Sequence, residues 1–123
     1  MGDYSRLYRA YGGDVVDKDL PLADPVLIAA DSATKRVCVL EIEFTPSTYT
    51  ACVLAFIDSL TDQRIGTLTL PADGPGVVEG SNQFTLTFGP SGTKLSAGAD
   101  LLLGVVSGSA TGRLHIEACQ KHN

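Results

Sequence analysis

The sequence predicts an all-β fold: a single antiparallel β-sandwich, jelly-roll-like, with an extended N-terminal arm that carries a short helix. Three observations predict it. Several runs alternate apolar and polar residues with period two, as half-buried antiparallel strands do. Gly, Pro, Asp and Asn break the chain at short, regular intervals, in "TPST", "SLTDQ", "PADGPG", "EGSN" and "SGSATG". No long amphipathic helical pattern occurs after residue 25. About seven or eight short strands in such a length suit a sandwich or jelly roll.

Two regions divide the 123 residues. Residues 1–25 form the arm and residues 26–123 the sandwich domain. In the arm, "DYSRLYRAYGG" is the helical signature, over about residues 4–11. Asp3 is a suitable N-cap. Tyr4, Leu7, Tyr8 and Tyr11 share one helical face, while Arg6 and Arg9 lie away from it. Gly12 or Gly13 can end the helix in the left-handed conformation. Two turns of helix are unstable alone in water, so either the aromatic stripe docks, on its own domain or on a partner, or the segment is disordered. Tyr and Arg are favoured at such interfaces. The acidic strap that follows, "GGDVVDKDLPLADP", reads as extended and solvated. Asp14, Asp17, Asp19 and Asp24 lack the alternate spacing, central Gly and terminal Glu of a calcium loop.

In the body, "VLIAA" after Pro25 is a first strand candidate. "RVCVLEIEF" sets Cys38, Leu40, Ile42 and Phe44 on one face and Glu41 and Glu43 on the other, with Val37 and Val39 extending apolar character to that second face. "YTACVLAFI" and "ADLLLGVV" are apolar on both faces. They read as central strands or as strands covered by a sister subunit, so Leu101, Leu102, Leu103, Val105 and Val106 are candidate contact residues. "RIGTLTL" stops at Pro71. In "QFTLTFG", Phe84, Leu86 and Phe88 face one way. In "TGRLHIEACQ", Leu114, Ile116 and Ala118 alternate with Arg113, His115 and Glu117.

Charge and motifs exclude several functions. The net charge of −5 opposes nucleic-acid and anionic-membrane binding. No apolar stretch reaches the ~20 residues of a membrane span, and no apolar h-region opens the chain. Cys38, Cys52 and Cys119 show neither a disulfide framework nor zinc spacing, and read as small buried hydrophobes. "SGTKL" is not a phosphate loop, because Lys94 is followed by Leu95 and no helix follows. Instead "GPSG" and "SAG" read as turns, with Gly98 at positive φ. His115 and His122 have no ligand partners at metal spacing. Glu41 and Glu43 lie about 7 Å apart along a strand, but without any Trp to stack a sugar they read as a solvated face. No cofactor, metal site or catalytic constellation is expected, and hence no enzyme.

The runs "ATKRVCVLEIEF", "TACVLAFIDSLTDQRIGTLTLPADG" and "KLSAGADLLLGVVSGSATGRLHIEACQ" together resemble small β-sandwich proteins of tailed-bacteriophage virions, over residues 33–121. The resemblance rests on turn and strand patterns: a basic entry to a strand, a polar "SLTDQ" turn, a "PADG" loop, "LSAGADLLL" and a closing "GRLHIEA" strand. It implies a non-enzymatic capsid decoration (cement) protein that binds the major capsid protein and sister subunits, with trimers common among such proteins. It also implies synthesis in the bacterial cytoplasm and residence on the capsid surface. The alternatives are a tail, fibre-base or head–tail adaptor component, and a ligand- or carbohydrate-binding β-sandwich module.

Overall fold

The computed structural model describes residues 14–71 and 83–122. The expected helix with Tyr4, Leu7, Tyr8 and Tyr11 lies outside them. All regular structure among the described residues is β. The strands are β1 (Asp14–Leu20), β2 (Val26–Ile28), β3 (Lys35–Tyr49), β4 (Cys52–Asp58), β5 (Arg64–Leu70), β6 (Phe84–Thr87), β7 (Thr93–Lys94), β8 (Leu101–Ser107) and β9 (Ala110–His122). They form two antiparallel sheets. One runs β1-β9-β3-β6, with β7 also paired to β3, and the other runs β2-β8-β4-β5.

A single main core takes residues from both sheets. Val37, Val39, Ile42, Phe44, Leu114 and Ile116 come from the first, and Leu54, Phe56, Leu68, Leu70 and Leu101 from the second. Each fully buried side chain of this size contributes about 1.5–3 kcal/mol. The alternation expected of β6 and β9 is seen, since Leu114, Ile116 and Ala118 are buried and Phe84 and Leu86 pack against the core.

Strand β3 differs from its sequence reading. A register shift against β9 between Val39 and Glu41 makes a β-bulge. An extra residue reverses which side chains face inward. Val37 and Val39 therefore join Ile42 and Phe44 in the core, whereas Cys38 and Leu40 turn outward and cluster with Cys119. The expected single face through Cys38, Leu40, Ile42 and Phe44 is thus two faces joined at the bulge. The loop before β7 packs on the outward pair: Phe88 donates its N–H to the Leu40 carbonyl at 3.1 Å, and the Cys38 thiol lies 3.2 Å from the Ser91 carbonyl.

The acidic strap also differs. From Asp14 to Leu20 it is an edge strand, paired with β9 through seven residues from Ala118 to Gly112. Leu20 is buried and Val16 half-buried, while Asp17 and Asp19 are exposed. That is the alternation of a strand with one wet face.

The turns follow from local chemistry. After β4, Asp58 accepts the N–H groups of Leu60 and Thr61, and Asp62 takes φ 59°, a region open to Asp. Gly98 has φ +79° as expected. Between β8 and β9, Gly108 has φ +73°, and a Cβ there would stand 2.1 Å from the Ala51 carbonyl oxygen. Only glycine fits that approach.

Candidate functional site

The outer face of the β1-β9-β3-β6 sheet gathers most of the chemistry-bearing side chains. Register stacks them in rows. One row runs Val15, Glu117, Glu41, Thr87, the next Asp17, His115, Glu43, Thr85, and the third Asp19, Arg113, Thr45. The second and third rows border an open cleft of about 640 Å³, lined by Asp17, Asp19, Glu43, Arg113 and His115 among others.

Two contacts cross from β1 to β9. The His115 Nδ1 lies 2.8 Å from an Asp17 carboxylate oxygen, and the Arg113 Nε donates to Asp19 at 3.3 Å. The Arg113–Asp19 pair is exposed on both sides and adds little stability. Glu41 is different. It is only 6 % exposed, which departs from the solvated face expected for the Glu41–Glu43 pair. Burial first, then the like charges of Glu117 and Glu43, push its carboxyl above the usual range, while His115 pulls the other way. This face thus brings the carboxylates of Asp17, Asp19, Glu41, Glu43 and Glu117 together with Arg113 and His115. Among the described residues, no group of three His, Cys, Asp or Glu side chains could hold a metal ion.

No family model, curated protein or solved structure matches the chain.

The candidate contact strand β8 has an inside and an outside. Leu101 and Leu103 are buried, Leu102 is half-buried, and Val105 and Val106 are 53 % and 50 % exposed. Val105 also borders an apolar groove of about 280 Å³ with Leu20, Leu22, Pro25, Leu103 and Ala110. The structure thus separates the five residues that the sequence grouped: Leu101 and Leu103 belong to the core, and Val105 and Val106 are half exposed. Sequence reasoning missed the contribution of β1 to this groove and to the acidic rows. The signal was the alternation of Val16 and Leu20 with Asp17 and Asp19.

Lys94 is exposed on β7, opposite Cys38 in register, and the next element is strand β8, not the helix a phosphate loop needs. Cys38, Cys52 and Cys119 are all buried and form no disulfide. Burial pushes the Cys52 thiol up, which makes it a poor nucleophile.

Proposed function

We propose that this chain is a jelly-roll virion protein of a tailed bacteriophage, a capsid decoration protein that binds the major capsid shell and sister subunits without catalysing a reaction. The strand pairing supports the jelly-roll topology. With β6 and β7 counted as one strand, β1 pairs β9, β2 pairs β8, β3 pairs β6 and β7, and β4 pairs β5. That is one long hairpin of strand pairs rolled across two layers. Fold alone does not assign function, so the reading rests on surface and sequence together.

The observation that carries it is the exposed apolar end of the sandwich. Val105 lines a groove walled by Leu20, Leu22 and Pro25, and both it and the next residue, Val106, are half exposed. Exposed apolar side chains beside an apolar groove suit a contact surface. The resemblance of residues 33–121 to virion proteins supplies the partner class.

The test is sedimentation with expanded phage heads that lack decoration protein. The wild-type chain co-sediments in hundreds of copies per head, and V105D/V106D does not while remaining folded. Binding in six or twelve copies would instead place the chain in a tail or connector.

A further inference from the structure

We propose that Cys38 and Cys119 are a redox-sensitive pair, which a hydroperoxide closes into a cross-strand disulfide that staples β3 to β9. Register puts them together. Cys38 stands directly opposite Cys119 in the antiparallel pairing of the two strands, and residues so placed project from the same face of a sheet. Both lie in the small outward cluster with Leu40, and neither joins the main core. The bulge between Val39 and Glu41 lets Cys38 leave the core face while Ile42 and Phe44 keep it. Backbone bonding fixes the spacing. The Lys35 and Val37 carbonyls accept the N–H groups of Gly98 and Leu95, at 2.8 and 2.9 Å, on the side of β3 away from β9. Cys38 follows Val37 and so turns its own N–H and C=O to β9. Its pair with Cys119 is therefore a hydrogen-bonded one, with Cα atoms about 5.5 Å apart. Disulfides span Cα atoms about 4.4–6.8 Å apart, most often 5.5–6 Å, so the backbone already holds a distance that the bond can bridge.

A short loop covers Cys38. The Cys38 thiol donates to the Ser91 carbonyl at 3.2 Å, and a Cβ on Gly92 would come within 2.9 Å of the Cys38 Sγ. Cys38 and Cys119 are 0 % and 3 % exposed, so an oxidant reaches the pair when this loop opens, and the smallest oxidant needs the least opening. Hydrogen peroxide suits that path. One sulfur, as the thiolate, attacks a peroxide oxygen. The O–O bond breaks, hydroxide leaves and a sulfenic acid forms. The second thiolate attacks the sulfenic sulfur. The S–S bond forms, the S–O bond breaks and a second hydroxide leaves. The two thiol protons turn both hydroxides into water, so the peroxide is reduced as the two sulfurs are oxidised. The bonded Cys38 has no S–H, and the Ser91 carbonyl loses its donor. Oxidation thus fastens the sheet and loosens the loop. Cys52 lies in the main core instead and takes no part.

The experiment treats the full, folded chain, reduced beforehand, with hydrogen peroxide and maps its thiols. Cleavage after Glu41, Glu43 and Glu117 leaves Cys38, Cys52 and Cys119 in separate peptides. The expected product has a chain mass lower by two hydrogens, with the Cys38 and Cys119 peptides linked and Cys52 still a thiol. Dithiothreitol reverses it. The urea midpoint of the linked chain is higher than that of the reduced chain, because the crosslink restricts the unfolded state. The Gly92 amide exchanges faster with solvent after oxidation. A link that includes Cys52, a bond formed only between two chains, or sulfinic acid without a crosslink would overturn the proposal. So would a Cys38–Cys119 link that forms only in urea-unfolded protein. A lower urea midpoint would show that the bond breaks the pairing of β3 and β9 rather than stapling it, and unchanged exchange at Gly92 would remove the loop from the switch.

Discussion

Asp58 and Ser96 are joined twice: one carboxylate oxygen accepts both the Ser96 backbone N–H, at 2.8 Å, and its hydroxyl, at 2.9 Å. The other oxygen accepts the N–H groups of Leu60 and Thr61 at 2.9 and 3.2 Å. One side chain, 5 % exposed, thereby ties the β4–β5 turn to the loop that leads into β8.

Asp58→Asn should cost about 2–3 kcal/mol at neutral pH, because an amide turns two donors toward groups that are themselves donors. Burial pushes the Asp58 carboxyl up, but its hydrogen bonds outweigh that and leave it below the ordinary range. A lowered folded pKa gives stability that is complete above the unfolded value, near ~4, and is lost as pH falls through the folded one. The gap between wild type and Asp58→Asn should therefore narrow in acid. Urea unfolding at pH 7 and at pH 3 measures both, and an equal gap at the two values would contradict the assignment.

Glu117→Gln should lower the pKa of Glu41, since it removes a like charge from the same row. The sign for stability is opposite to that of Asp58. A raised folded pKa means that the folded chain takes up its proton first as pH falls. The resulting penalty is present above that pKa and is relieved below it. Carboxyl ¹³C titration of Glu41 in both proteins reads the shift directly. An unchanged Glu41 pKa in Glu117→Gln would mean that the two side chains do not face each other.

The strands most legible in the sequence are those with unbroken alternation. Leu114, Ile116 and Ala118 sit inside as their spacing requires, and Pro71 follows the end of β5. What hid the rest is local. The bulge after Val39 leaves no residue signature, because Cys38 and Leu40 are as apolar as Val37 and Val39, and so both faces of β3 look alike. Strand β1 hid behind its aspartates, which point to solvent while Val16 and Leu20 pack inward. The acidic face was illegible for the same reason: its rows exist only through the pairing of β1, β9 and β3. Glu41 and Glu43 could be seen as neighbours, but the burial of one and the third acid, Glu117, come from tertiary structure.

Tyr49→Phe should leave the fold intact and raise stability by up to about 1 kcal/mol. Tyr49 is 4 % exposed in the main core, with its ring edge-on to Phe84 at 5.9 Å between centroids. Its hydroxyl is buried without a hydrogen bond among the described residues. Removing such a group relieves a desolvation cost and keeps the aromatic contact. A thermal melt decides it, and a loss of more than 1 kcal/mol would reveal a partner for the hydroxyl.

Leu101→Ala and Val106→Ala should separate the two roles of β8. Leu101 is fully buried between the sheets, so its truncation leaves a cavity and should cost about 2–5 kcal/mol. Val106 is half exposed, and its truncation should change stability by less than about 0.5 kcal/mol. The urea midpoint of each variant measures this in the isolated chain. Capsid binding should respond in reverse: Val106→Ala weakens it, and Leu101→Ala leaves it unchanged wherever the protein is folded. If Val106→Ala destabilised the isolated chain as much as Leu101→Ala, Val106 would be a core residue, and the end of the sandwich would lose its claim as a contact surface.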